Sequence, residues 1–81
     1  MVTLAAEQGV TEAQGNLGIM YSGGYGVQQD IVVALMWFEI AAANENVREL
    51  KNRDMLAEEM TPSQIEKAQK LAREWVKKHS K

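Results

Sequence analysis

The chain has 81 residues, of which 46% are hydrophobic, with no cysteine and a net charge of −2. This length accommodates one domain at most, and a core of this size supplies only about 3–5 kcal/mol of stability. Because the chain has no cysteine, disulfide bonds and thiolate metal sites are excluded. We expect no nucleic-acid partner, because the nine Lys and Arg residues are interleaved with acids and form no basic stripe.

Residues 1–9 resemble the end of a helix from a preceding repeat. Leu4-Ala5-Ala6 recurs as Ile40-Ala41-Ala42, 36 residues later, and self-similarity at this spacing is typical of stacked helical repeats. A segment this short does not form a stable helix alone. We therefore expect the first helical hairpin to expose the apolar face that a preceding repeat would cover. The sequence therefore predicts self-association, as a homodimer, through this N-terminal end.

Two helices are predicted next, over Thr11–Ser22 and over Ile31–Ala43. Thr11 and Asp30 stand at the N-cap positions, where their side chains can accept hydrogen bonds from first-turn amides. Glu39 is the only polar residue of the second helix, so we expect neighbouring helices to cover this helix on nearly all sides. The helix is shorter than the about 20 residues that span a bilayer, and we expect no membrane partner.

The segment between these helices is rich in glycine. Residues 23–26 could be interpreted as a phosphate-binding loop, but no Gly-Lys-Ser/Thr follows, and Gln29 stands where a dinucleotide fingerprint requires glycine. We therefore interpret the segment as a turn whose glycines adopt positive φ. Gly18, inside the first helix, is predicted to let the second helix approach closely, at the ring of Trp37.

The third and fourth helices are predicted from about Asn46 to Met60 and from Pro62 to Lys78. Between them, Thr61 and Gln64 have the spacing of a capping box, with proline at the first helical position. The predicted core positions of the third helix are Val47, Leu50, Leu56 or Ala57, and Met60. Those of the fourth are Ile65, Ala68, Ala72, Trp75 and Val76. Four methionines at helical spacings are expected to fill the core, with a soft-metal or peptide-binding stripe as the alternative: Met20, Met36, Met55 and Met60.

No arrangement of residues predicts catalysis, a cofactor or a metal site. His79 lies in a basic C-terminal segment, where fraying is a simpler expectation than a general base or a metal ligand. The close acid pairs Glu58-Glu59 and Glu45/Glu49 are most simply solvated surface charge.

The charge is divided unevenly along the chain. Residues 1–46 carry five acids and no Lys or Arg, whereas residues 47–81 carry nine bases and six acids. Solvated helix surfaces explain this asymmetry most simply, and head-to-tail association or an acidic partner on the C-terminal half is the alternative. No signal peptide is recognisable, so we expect a cytoplasmic protein, or a periplasmic or secreted one whose signal peptide has been removed.

The strongest pattern lies within residues 10–44 and resembles one complete Sel1-like repeat, a relative of the tetratricopeptide repeat. Its signature positions are Ala13, Leu17, Gly18, Tyr21, Gly24, Gly26, Asp30, Ala34, Trp37 and Ala41. Residues 45–81 resemble the capping helices that close such arrays, and residues 1–9 the tail of a preceding repeat. The resemblance implies a single all-α domain over residues 1–81, a helix-turn-helix solenoid fragment that ends in a capping helical hairpin.

The resemblance also implies a function: a non-catalytic protein-interaction scaffold of a bacterial type, with a protein or peptide partner. In tetratricopeptide-like arrays the first helix of each repeat lines the concave face, which makes these residues the candidate binding site: Glu12, Asn16, Ile19 and Ser22. Ile19 could anchor an extended or helical peptide, or it could only touch an adjoining repeat.

Two alternatives to a binding module are open. The first is a structural end fragment of a longer array without its own binding site. The second is a hydrolase, because some cysteine-rich members of the resembling family have been named β-lactamases. This chain has neither their cysteines nor a Ser-x-x-Lys pair, so we expect no enzyme.

Overall fold

The computed structural model of the protein describes residues 11–43 and 47–79. Within these ranges the chain forms four α-helices and no strand: α1 (Thr11–Gly23), α2 (Ile31–Ala42), α3 (Val47–Glu58) and α4 (Pro62–His79). The predicted all-α fold is confirmed. The predicted tail of a preceding repeat lies outside the described residues, as do Asn46 and the side chain of Val47.

Helix α2 is the central element of this fold, because α1, α3 and α4 all pack against it. Each residue of α2 is buried or half-buried. A helix that is apolar on every side gains stability only when its neighbours remove every side from water. The prediction that this helix is covered on nearly all sides is therefore confirmed.

The core consists of two groups of side chains on different sides of α2. The first joins α1, α2 and α4 and consists of Ala13, Leu17, Trp37, Ile40 and Ala72. The second joins α2, α3 and α4 and consists of Ala34, Leu35, Phe38, Leu56, Met60 and Ala68. The adjacent residues Trp37 and Phe38 point to different groups, since successive helical residues lie about 100° apart.

The turn between α1 and α2 is closed by glycines, as predicted. Gly24 and Gly26 have φ values of 71° and 74°, and the amide of Tyr25 donates to the carbonyl of Met20 at 2.9 Å. This 6→1 hydrogen bond with glycine at C′ is a Schellman motif. Helix α1 runs one residue beyond the predicted Ser22, because Gly23 is still helical.

Both predicted internal caps are present, whereas the predicted cap at the start of α1 is wrong. Asp30 Oδ1 accepts from the amides of Val32 and Val33, both at 3.1 Å. The amide of Gln64 donates to Thr61 Oγ1 at 3.2 Å, and the amide of Thr61 donates to Gln64 Oε1 at 3.0 Å. Thr11, by contrast, is itself helical, and a capping residue has a non-helical backbone.

Gly18 brings α1 and α2 together, but at a different ring from the one predicted. A Cβ atom on Gly18 would lie 2.5 Å from Cε1 of Phe38, so the close approach involves Phe38 rather than Trp37. The reason is the division of the core, in which Trp37 turns toward Ala13 and Leu17 instead.

Helix α3 ends at Glu58, two residues earlier than predicted. The amides of Glu59 and Met60 donate to the carbonyls of Leu56 and Ala57, three residues back, so the last turn tightens before Pro62.

Two predicted core residues are exposed. Met55 on α3 has 66% of its surface exposed, and Val76 on α4 has 43%. Met55 lies next to the buried Leu56 on the helix and therefore turns away from α2. Val76 follows the half-buried Trp75 and lies beyond the covered stripe of α4.

Candidate protein-interaction surface

A groove of about 510 Å³ lies between α1 and α3, with α2 beneath it; we call it the α1–α3 groove. Its apolar lining consists of Ile19, Ile31, Phe38, Met55 and Leu56. Phe38 and Leu56 are buried, whereas Ile19 and Met55 are 45% and 66% exposed. The groove thus has a buried apolar floor and two exposed apolar side chains from different helices.

The polar residues of the groove are Ser22, Gln29, Asn52, Glu58 and Glu59. Ser22 Oγ donates to the carbonyl of Ile19 at 2.9 Å, and Gln29 Nε2 donates to the carbonyl of Ser22 at 2.9 Å. These hydrogen bonds fasten the α1–α2 turn to the end of α1. The hydroxyl of Ser22 therefore serves its own helix.

Glu58 and Glu59 place two carboxylates at the C-terminal end of α3. In the part of the chain that the structure describes, neither forms an ion pair with lysine or arginine. The last turn of α3 contains no basic residue either. Because the C-terminal end of a helix carries partial negative charge, this end of the groove favours a cation.

Of the four residues predicted to bind a partner, the structure brings two into this groove. Ile19 and Ser22 line it, whereas Glu12 and Asn16 are exposed on α1 outside its lining. Their role in binding stays a prediction. Met55 and the acids at 58 and 59 were not identified as site residues from the sequence. No signal in the sequence identified them, because their approach to α1 depends on how α3 packs against α2.

A second groove, of about 440 Å³, lies between α2 and α4; we call it the α2–α4 groove. Its lining residues are Glu39, Ile40, Ala43, Gln69, Ala72, Arg73, Val76 and Lys77. Val76 is its exposed apolar residue, and Arg73 and Lys77 are exposed beside it.

Glu39 is the charged residue that α2 carries into the packed region. Its Oε1 atom lies 3.6 Å from Nε of Arg53 on α3, and Arg53 also donates to Asp54 Oδ1 from Nε at 3.2 Å and from Nη2 at 3.1 Å. Burial raises the pKa of Glu39 above its ordinary value, because it disfavours the charged carboxylate. The positive charge of Arg53 lowers this pKa and the negative charge of Asp54 raises it, so that the pKa is raised on balance. The arrangement fastens α3 to α2.

The described residues offer little to a metal ion or a phosphate group. Among them, no three His, Cys, Asp or Glu side chains stand close enough to share a metal ion. The first amides of α2, which a phosphate would need, already donate to Asp30. His79 is the last residue of α4, and its ring stacks on Trp75 with centroids 4.1 Å apart. None of the helices within the described ranges is long and apolar enough to cross a membrane.

Stacked antiparallel helices joined by a glycine turn, with grooves between them, define a helical-repeat protein. Residues 11–46 match the family model described as Sel1 repeat, which confirms the predicted resemblance to that family over this part of the chain. Such repeats generally mediate protein–protein interaction and are generally non-catalytic. The homodimer predicted through the N-terminal end involves residues 1–9, which lie outside the described ranges, and it stays a prediction.

The fold is also similar to a solved structure. The crystal structure of c5321, a protective antigen present in uropathogenic Escherichia coli strains and displaying an SLR fold, matches with a TM-score of 0.91 and 35% sequence identity. The match covers 98% of this chain and 17% of that chain, so this chain spans about a sixth of the length of its structural relative. No curated protein matches the sequence significantly.

Proposed function

We propose that this chain is a non-catalytic protein-interaction module that binds its partner in the α1–α3 groove. The observation that carries the proposal is the placement of Ile19 and Met55, two exposed apolar side chains, over the buried floor of one groove. Exposed apolar groups that share a concave surface are typical of a protein-binding site. The Sel1 repeat supports the same class of function.

The groove suits an apolar side chain of the partner. Such a side chain would contact Ile19 and Met55 at its sides and Phe38 beneath, and would be withdrawn from water on most of its surface. Apolar anchors in pockets of this kind dominate the energetics of many interfaces. The exposed carboxylates of Glu58 and Glu59 would accept hydrogen bonds that orient the partner without contributing most of the affinity.

The alternative of a structural end fragment is favoured by one observation, the 17% coverage of the c5321 chain. In a longer array, adjoining repeats would cover Ile19, and the groove would stabilise the array instead of binding a separate partner. The two functions differ in whether the isolated chain binds peptides through the groove.

A peptide selection tests the proposal. Peptides are enriched on the chain from a random phage-displayed library, and their dissociation constants are measured for the wild type, Ile19→Asp and Met55→Asp. Tyr25→Asp is the matched control, because Tyr25 is 64% exposed but lies outside the groove lining. We expect the groove variants to bind at least about tenfold more weakly, since a lost anchor costs more than 1.4 kcal/mol, and the control to bind as the wild type does.

The proposal fails if no peptide is enriched, or if all three variants bind with wild-type affinity. Circular dichroism of each variant establishes that the helices are intact, so that weaker binding reports on the groove rather than on unfolding.

A further inference from the structure

One face of α4 combines positive charge with an exposed apolar side chain. Arg73, Val76 and Lys77 are all exposed and all line the α2–α4 groove. Residues three and four apart are neighbours on a helix, so Val76 and Lys77 both lie beside Arg73. We call these three residues the basic α4 face.

The α1–α3 groove carries the complementary pattern. Met55 is exposed and apolar, and Glu58 and Glu59 follow it at the end of α3, three and four residues later. In the described part of the chain no basic side chain neutralises these two acids, and the last turn of α3 contains none. A cation placed there would interact favourably with both carboxylates and with the helix terminus.

We propose that the chain associates head to tail with a second copy of itself, and that the basic α4 face of one copy binds in the α1–α3 groove of the next. This inference rests on the proposed function of that groove. Val76 contacts Ile19 and Met55, while Arg73 and Lys77 approach Glu58 and Glu59. Burial of the apolar side chains stabilises the contact, and the charged side chains select the relative orientation of the two copies.

Among the residues that the structure describes, the two faces do not contact each other. The described lining residues of the α1–α3 groove and of the α2–α4 groove have no member in common. Glu39 is the acid among the described lining residues of the α2–α4 groove; it is half-buried and lies 3.6 Å from Arg53. The cations of the face therefore remain available to another molecule.

The contact is heterologous, since different surfaces meet. The dimer then keeps one unoccupied surface of each kind, one on each copy, and association continues beyond the dimer unless a rotation closes a ring. A contact between one helix face and one groove belongs to the transient class of interfaces, so we expect association at concentrations of roughly 10–500 µM.

Charge reversal and sedimentation test this assembly. The average mass of the full chain is measured by analytical ultracentrifugation over that range, at low salt and at about 0.3 M salt, where exposed charges are strongly screened. The variants are Glu58→Lys/Glu59→Lys, Arg73→Glu/Lys77→Glu and, as the matched control, Lys67→Glu/Lys70→Glu. The control lysines are exposed on α4 and line neither groove.

We expect the mass of the wild type and of the control to rise with concentration at low salt and to fall at high salt. Each of the other two variants alone should associate at least about tenfold more weakly, because like charges then face each other. An equimolar mixture of these two variants should associate again, since their reversed charges are complementary. Recovery by mixing is a result that misfolded variants could not produce.

A wild type that is monomeric at low salt overturns the inference, as does a mixture that stays monomeric although both variants are helical by circular dichroism. Association that survives both reversals but is lost in Leu4→Glu also overturns it and places the contact at the N-terminal end. If the wild type is monomeric and still binds selected peptides through Ile19 and Met55, the self-association fails while the proposed function stands.

Discussion

The ring of Trp75 packs edge-on against the ring of Trp37, with centroids 5.5 Å apart and an interplanar angle of 68°. This T-shaped pair joins α4 to α2, and α1 covers the same group through Ala13 and Leu17. Trp37 is therefore covered by α1 and α4.

Replacing Trp37 by alanine should destabilise the fold severely. The side chain is 7% exposed, and Trp→Ala at such a site costs about 3–5 kcal/mol through lost burial and the cavity left behind. A domain of this size then unfolds largely, since its total stability is comparable. Urea denaturation followed by circular dichroism measures the loss. The control Tyr25→Ala, at an exposed position, should stay within about 0.5 kcal/mol of the wild type; a similar result for Trp37→Ala would contradict the packing described.

Gly18→Ala should also destabilise the protein, although alanine favours helix more than glycine by about 1 kcal/mol. The added methyl would lie 2.5–2.9 Å from three atoms of the Phe38 ring, and overpacking of this kind costs about 1–3 kcal/mol. The matched test is the same substitution in a Phe38→Leu background, where the smaller side chain relieves the clash. The cost of Gly18→Ala should shrink there. An equal cost in both backgrounds would show that the ring is not what the methyl meets.

Features that depend on neighbours in sequence could be predicted, and those that depend on which helix packs where could not. Asp30 and Thr61 cap their helices through hydrogen bonds to residues two or three positions away, so the local pattern was sufficient. The ring that packs against Gly18 could not be predicted in this way. Trp37 and Phe38 are equally suitable by spacing, and only the arrangement of α3 and α4 around α2 decides which of them lies against Gly18.

The candidate site was predicted in part for the same reason. Ile19 stands on the side of α1 opposite its buried residues and could be identified from helical spacing. Met55 and the two acids after it come from another helix, and their approach to α1 is a consequence of tertiary packing. A methionine at helical spacing is also compatible with a core position, so no pattern in the sequence distinguished the exposed Met55 from the buried Met60.

Removing either cap should cost about 1 kcal/mol, the usual contribution of an N-cap side chain. Asp30→Ala leaves the amides of Val32 and Val33 without their acceptor, and Thr61→Ala removes one half of the capping box. Urea denaturation gives the free energy of unfolding of each variant. Asp30→Asn and Thr61→Ser keep a capping oxygen and should retain most of the stability. A conservative variant as unstable as the alanine variant would assign the loss to something other than capping.

The pH dependence of stability should report on Glu39. Its pKa is raised above the ordinary value of 4.5, chiefly by burial, so the folded chain holds this proton at pH values where the unfolded chain releases it. The stabilisation linked to this proton is therefore complete below pH 4.5 and is lost as the pH rises through the raised pKa. Compared with Glu39→Gln, which does not titrate, the wild type should lose stability over this window and then keep a constant difference.

Because Arg53 lowers the pKa of Glu39, Arg53→Met should widen the pH window and enlarge the loss of stability. Urea titrations of the three proteins from about pH 4 to pH 7.5 measure the differences, and a wild type that gains stability relative to Glu39→Gln as the pH rises would show that attraction to Arg53 outweighs burial.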